Sequence, residues 1–169
     1  YPERPIRLIV PFAAGGPMDV MARLVGQQLQ TSLKQPVIVE NRAGAGGALG
    51  SKVVATAEPD GYTLLWGSSG TLAILPALNR NLDYDPKALV PVALVSLLPH
   101  VMVVPSAVPA RTVPEFIAHA KANPGKLNFG ASLGTPPHLM GALFKSLAGV
   151  DIVFIPYKGA APSIADMLG

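Results

Sequence analysis

The chain offers few residues able to do covalent chemistry. It has three histidines and no cysteine, so thiolate nucleophiles, disulfides and cysteine-ligated zinc are excluded together. His100, His119 and His138 have neither metal-ligand spacing nor an H-E-x-x-H pattern. His119 falls on the polar side of an expected helix and reads as solvated. His138 opens a helix, where facing a ligand and capping both stay open. Gly67-Ser68-Ser69-Gly70-Thr71 misses the last glycine of G-x-S-x-G. In Gly44-Ala45-Gly46-Gly47-Ala48-Leu49-Gly50 the third glycine of G-x-G-x-x-G would fall on Leu49. No Gly-Lys-Ser/Thr occurs, so a P-loop is absent. No metal and no cofactor is expected.

What remains is binding chemistry. Residues 11–17, 67–71 and 130–135 are loops rich in Gly, Ser and Thr. Each follows a strand-like run, and ligands of open α/β sheets bind just beyond such strand ends. A helix starting there presents free backbone N–H groups and a positive dipole end, suited to an anion. The bland alternative is that these glycines only supply turns and close packing. Asp19 falls near the third position of the first helix. There it is either a favourable charge, worth ~0.3–1 kcal/mol, or a counter-charge for a ligand amine.

The elements that must position these loops alternate. Ile6–Val10 reads as a strand, and Met18, Met21, Ala22, Val25, Leu29 and Leu33 follow helical spacing. Strands over 36–40 and 62–66 flank a small-residue helix over 48–57. The pattern restarts with Thr112-Val113-Pro114-Glu115, a capping box. A strand over 127–129, a helix over 136–147, a strand over 151–155 and a helix from about Ala161 follow. Such alternation predicts βαβ units with right-handed crossovers on parallel sheets. Two βα runs, before and after about residue 100, predict two α/β lobes with a cleft between them.

Composition narrows the classes. Of 169 residues, 50% are hydrophobic and 14% charged, which excludes disorder from lack of apolar groups. The net charge of +3 is scattered, with no two of the thirteen Lys and Arg residues adjacent. Nucleic-acid readers concentrate their cations, so no nucleic-acid partner is expected. From Ala88 to Ala110 no side chain carries a formal charge. Pro91, Pro99, Pro105 and Pro109 interrupt that stretch, which argues against a spanning helix and against membrane insertion. Two buried strands, Val92–Leu98 and Val101–Val104, are expected there. Tyr1-Pro2-Glu3-Arg4-Pro5 carries no apolar export signal.

Taken together, several strings are similar to the tripartite tricarboxylate transporter substrate-binding proteins, or Bug receptors. They are Pro5–Gly16 with Asp19 and Ala22-Arg23, Pro36–Arg42, Gly44–Gly47, Pro59–Leu64, Ala120–Leu127, Gly134-Thr135 with His138-Leu139, and Pro156–Gly159. The match runs along the whole chain in the family's order. It implies a type II periplasmic binding protein fold, with a first lobe at 1–99 and a second at 100–169. It implies a periplasmic receptor, not an enzyme, that captures a small carboxylate (a di- or tricarboxylate, an amino acid or an aromatic acid). The membrane subunits of a transporter are its implied partners. In this family loop amides, hydroxyls and bridging waters hold the carboxylate.

Micromolar capture requires about 8 kcal/mol, and one hydrogen bond to a charged group contributes roughly 1.5–3 kcal/mol. Loops of both lobes are therefore needed. The expected ligand contacts are Phe12, Ala14, Gly15, Gly16, Ser68 and Ser69 from the first lobe. Ser132, Gly134, Thr135 and His138 are expected from the second. Asp19 and Tyr157 face the cleft by resemblance. Two departures stand out. Ser132-Leu133-Gly134-Thr135 is one glycine-containing step short of the family's usual loop. Phe154 replaces a common histidine, which suits a less polar ligand end. Family members are also longer and cross back to finish the first lobe, so a truncated chain prone to self-association is expected. The alternatives are a small-molecule enzyme on a two-lobed scaffold and a sensor used for signalling alone.

Overall fold

The computed structural model describes residues 1–168; Gly169, the last residue of the expected second lobe, lies outside them. Two separate parallel sheets organise the chain. In the first, β1 (Ile6–Val10) lies between β2 (Val37–Asn41) and β3 (Thr63–Leu65). Ile9 stands opposite Glu40 on one side and Leu65 on the other. Helix α1 (Pro17–Leu33) links β1 to β2, and α2 (Ala48–Ala55) links β2 to β3. With right-handed crossovers, this order puts the two helices on opposite faces of the sheet.

The packing follows the alternation of β1. Leu8 and Val10 meet Ala22 of α1, Phe12 and Trp66, with Met18, Met21 and Val25 of α1 around them. Ile9 is fully buried. Gly26 of α1 faces β2, where a Cβ would meet Val37 and Val39 at an ordinary contact distance of 3.5 Å. Gly50 is what lets α2 approach the chain beyond β1, since a Cβ there would stand 2.8 Å from the Cα and Cβ of Pro11.

The second sheet pairs β4 (Leu127–Ala131) with β5 (Ile152–Pro156) in parallel. Helices α4 (Val113–Ala122), α5 (Pro136–Ala148) and α6 (Ala160–Leu168) accompany it. Its core is Ala120, Val150 and Ile152, with Ile117, Leu127, Phe129 and Phe144 against them. The capping box expected at Thr112 is formed. Its hydroxyl accepts from the Glu115 amide at 3.4 Å, and Glu115 accepts the Thr112 amide at 3.1 Å. A short helix, α3 (Leu75–Leu78), follows a π-turn at Gly70–Ile74. The chain thus has the α/β architecture its alternation predicts.

One expectation fails. Val92–Leu98 and Val101–Val104 form no strand, and Val92 and Leu97 are more than 80% exposed. A β-strand exists only through the hydrogen bonds of a neighbouring edge, and among the described residues none lies beside this segment. Pro91, Pro99 and Pro105 also border the two runs, and none of them can donate to a ladder.

Two outcomes are expected. The bare apolar run should make the 169-residue chain self-associate with rising concentration, visible by light scattering; a monomer at all concentrations contradicts this. Gly50→Ala should lower stability by about 1–3 kcal/mol in urea denaturation, because overpacking against Pro11 outweighs the ~1 kcal/mol helix-propensity gain.

Candidate functional site

The two sheets meet through backbone. Loop 12–16, beyond β1, faces the turn between β5 and α6. The Ala13 amide donates to the Lys158 carbonyl at 3.2 Å. A Cβ on Gly159 would stand 3.2 Å from the Ala13 nitrogen, and one on Gly16 would stand 3.8–3.9 Å from the Ala161 and Ala160 nitrogens. The N-terminal ends of α1 and α6 therefore adjoin. Farther along, a Cβ on Gly46 would fall 2.4 Å from the Leu133 carbonyl oxygen. One on Gly70 would come within 3.3 Å of Gly134 and Thr135. The 2.4 Å at Gly46 is open only to glycine, and the 3.2–3.3 Å at Gly159 and Gly70 would require a neighbour to give way.

Between these contacts lies a cavity of about 210 Å³. Its walls are Phe12 and Gly44–Gly47 from one side, and Ser132, Leu133 and Pro156–Lys158 from the other. Among the described residues, Lys158 is the one charged residue lining it, and no carboxylate does. Of the residues singled out from sequence, Phe12, Ser132 and Tyr157 line this cavity. The Tyr157 hydroxyl is tied to the Asp166 carboxylate of α6, which raises the phenol's pKa above its ordinary value chiefly through that bond. Ala14, Gly15 and Gly16 belong to the neighbouring loop, and the amides of Ala14 and Gly16 have no protein acceptor among the described residues.

Other residues are placed elsewhere. Ser68 and Thr71 bond to each other, and the Ser68 amide donates to Thr71 Oγ1 at 3.0 Å. Ser69 is exposed beside them. Thr135 Oγ1 donates to the Ser132 carbonyl at 2.6 Å, which closes the turn that holds Gly134. His138 accepts the Gly134 amide at 3.4 Å and its ring lies 4.4 Å from that of Phe154. His138 and Phe154 line a different cavity, of about 430 Å³, against α5. Both therefore sit away from the interlobe walls.

Asp19 is buried and already fully engaged. Oδ2 accepts the Gly15 amide at 2.9 Å, Oδ1 accepts Asn41 Nδ2 at 2.9 Å, and Arg23 Nε lies 3.0 and 3.1 Å from the two oxygens. Burial disfavours its charge, but the Arg23, Gly15 and Asn41 bonds outweigh that and hold the carboxyl below its ordinary range. Close by, Glu40 is paired with Arg7 at 2.7 Å and with Arg42 at 3.0 Å. The Arg7 bond, chiefly, lowers its pKa to about 2.

Sequence reasoning missed Gly44–Gly47, Leu133, Pro156 and Lys158 as wall residues. The signal was present for Gly44–Gly47, which follow a strand and open a helix as the three chosen loops do. Leu133 and Lys158 reach the cavity through turn geometry that spacing does not encode.

The family model of the tripartite tricarboxylate transporter family receptor matches residues 21–169. The chain belongs to that family. Protein BugT of Bordetella pertussis is 43% identical over 175 aligned positions, which cover all of this chain and 53% of BugT. A R. palustris protein solved with adipate superposes with a TM-score of 0.94 at 35% identity, over 99% of this chain and 56% of that one. MatC of Rhodopseudomonas palustris, solved with bound malate, gives 0.91 at 34% identity, over 99% and 57%. The chain spans about half the length of the curated relatives it matches. The Bug-receptor family and periplasmic binding protein-like fold read from the sequence thus stand.

Glu40 sets a pH dependence. Its folded pKa of about 2 lies below the ordinary 4.5, so its contribution to stability is full above about 4.5 and is lost as pH falls towards 2. The urea midpoint should drop over that interval. In Glu40→Gln the drop should be shallower, with a lower midpoint at neutral pH.

Proposed function

We propose that this chain is the cleft-forming part of a periplasmic solute receptor that binds a small carboxylate and presents it to the membrane subunits of a tripartite transporter. Residues 1–99 and 100–169 form the two lobes in this reading. One observation carries it: an interlobe cavity with glycine-rich backbone and a serine in its walls, a lysine at its margin and no acid, beside the adjoining N-termini of α1 and α6. Such a surface offers hydrogen-bond donors and positive helix ends to an anion and nothing to a cation. Adipate and malate, found with two family members, are ligands of this chemistry.

The site binds without turning over. The hydroxyls of Ser68, Thr71 and Thr135 are held by neighbouring protein groups, and no histidine lines the cavity to serve as a base. Phe12, Ser132 and Tyr157 shape the walls in this reading, while Ala14, Gly15 and Gly16 supply the amide-bearing loop. Gly134, Thr135 and His138 set the turn behind Ser132, and Ser68 and Ser69 set the loop that meets it.

Calorimetric titration with adipate and with malate tests the proposal. At least one should bind with a Kd near or below about 10 μM, equivalent to roughly 7 kcal/mol. Gly159→Val, which wedges the lobes at Ala13 without needing an unusual φ, should weaken that binding about tenfold or more. Absence of heat with either acid, or equal affinity in the wedged variant, contradicts the reading.

A further inference from the structure

Loop 12–16 has no side chain of its own able to fix its shape; it consists of a phenylalanine, two alanines and two glycines. Its first carbonyl and one of its last amides are both held by side chains from outside it. Asn41, the final residue of β2, donates Nδ2 to the Phe12 carbonyl at 3.1 Å and to Asp19 Oδ1 at 2.9 Å. Asp19, in the first turn of α1, accepts the Gly15 amide at 2.9 Å. Arg23 joins the two residues, donating to both Asp19 oxygens and, through its terminal nitrogen, to Asn41 Oδ1 at 3.0 Å.

The donor and acceptor count leaves these residues little capacity to meet a ligand themselves. A carboxylate has about four acceptor positions, and those of Asp19 are taken by Gly15, Asn41 and both approaches of Arg23 Nε. The two amide hydrogens of Asn41 go to Phe12 and Asp19. Neither residue lines the interlobe cavity. The expected cleft-facing role of Asp19, as counter-charge for a ligand amine, gives way to a different one.

We propose that Asp19 and Asn41 are positioning residues of the ligand site. They form a buried clamp across the ends of the Phe12–Gly15 turn, which fixes where the amides of Ala14 and Gly16 stand for a bound carboxylate. The loop enters the cleft already shaped, so the ligand does not have to order it. The clamp also offsets the charge of Asp19, which would otherwise repel an anion at the loop. Among the described residues, Arg23 is the one charged side chain from outside the pair that is bonded to either residue.

This inference rests on the carboxylate-receptor reading, and the experiment separates the two. Adipate and malate are titrated into wild type, Asn41→Ala and Asn41→Asp, with Lys52→Ala, which removes a distant ion pair with Asp83, as the control. Melting temperatures are measured on the same samples. Asn41→Ala should weaken binding about tenfold, while Lys52→Ala should leave it unchanged. Asn41→Asp sets two carboxylates side by side, which raises the pKa of one of them. It should bind weakest at about pH 8 and recover towards pH 6 as the shared proton supplies the missing donor. Wild type should stay flat over that range, because Asp19 remains ionised. A variant that merely loosened the fold would not improve on acidification.

Amide hydrogen exchange at Gly15 reads the clamp without ligand. It should be faster in Asn41→Asp at about pH 8, relative to wild type, and should approach wild type near pH 6. Unaltered Gly15 protection in both variants overturns the clamp, and so does unaltered affinity with Gly15 exposed. If wild type gives no heat with either acid, the receptor reading fails for those acids and Gly15 exchange alone decides whether the clamp exists. If Asn41→Ala does not fold, Arg23→Gln replaces it. Arg23 is half exposed, and its loss should raise the pH at which Gly15 protection fails.

Discussion

Strand β1 has no free edge and no free face, and that constraint organises everything around it. It is hydrogen-bonded to β2 and β3, while α1 and α2 cover its two sides. With Ile9 and Val10 fully buried, one against each face, a one-residue slip in register would set each against neighbours packed for the other. The end of β1 is therefore a fixed point. Loop 12–16 starts from it, Asn41 ends the strand on one side, and Trp66 follows the strand on the other, its amide bonded to the Ile9 carbonyl at 2.8 Å.

From that fixed point the site is built mainly of backbone. Where the two sheets approach, the contacts lie at Gly46, Gly70 and Gly159, and each leaves a carbonyl, an amide or a Cα facing the glycine. A wall made this way has donors at fixed spacings and little side-chain character. In the proposed reading it would recognise a charge type more than a particular molecule. Specific shape would then fall to the few side chains present, chiefly Phe12, Ser132, Leu133, Tyr157 and Lys158.

Periodicity made most of the frame legible. The helical spacing of Met18 to Leu33, the capping box at Thr112 and the glycine loops after strands all appear where the residues predict. What could not be read depends on partners distant in the chain. Asp19 and Asn41 are 22 positions apart, and nothing in their local strings says that they touch. His138 has the position of a ligand contact, but the neighbour that decides its role is Phe154, brought beside it by the pairing of β4 with β5. The run from Val92 to Val104 has the β-branched, apolar composition of strands, yet composition supplies no edge to pair with.

Among the described residues, a single hydrogen bond, from Ala13 to Lys158, crosses between the two sheets, and no ion pair does. One such bond contributes about 0.5–1.5 kcal/mol net. The contact between the sheets thus has little of its own to hold it against thermal agitation beyond this bond and the contacts of a few glycines. An occupant spanning both walls would supply most of the adhesion. In the proposed receptor reading, occupancy and closure would be nearly the same variable, and letting go of the cargo would need no separate motor within these residues.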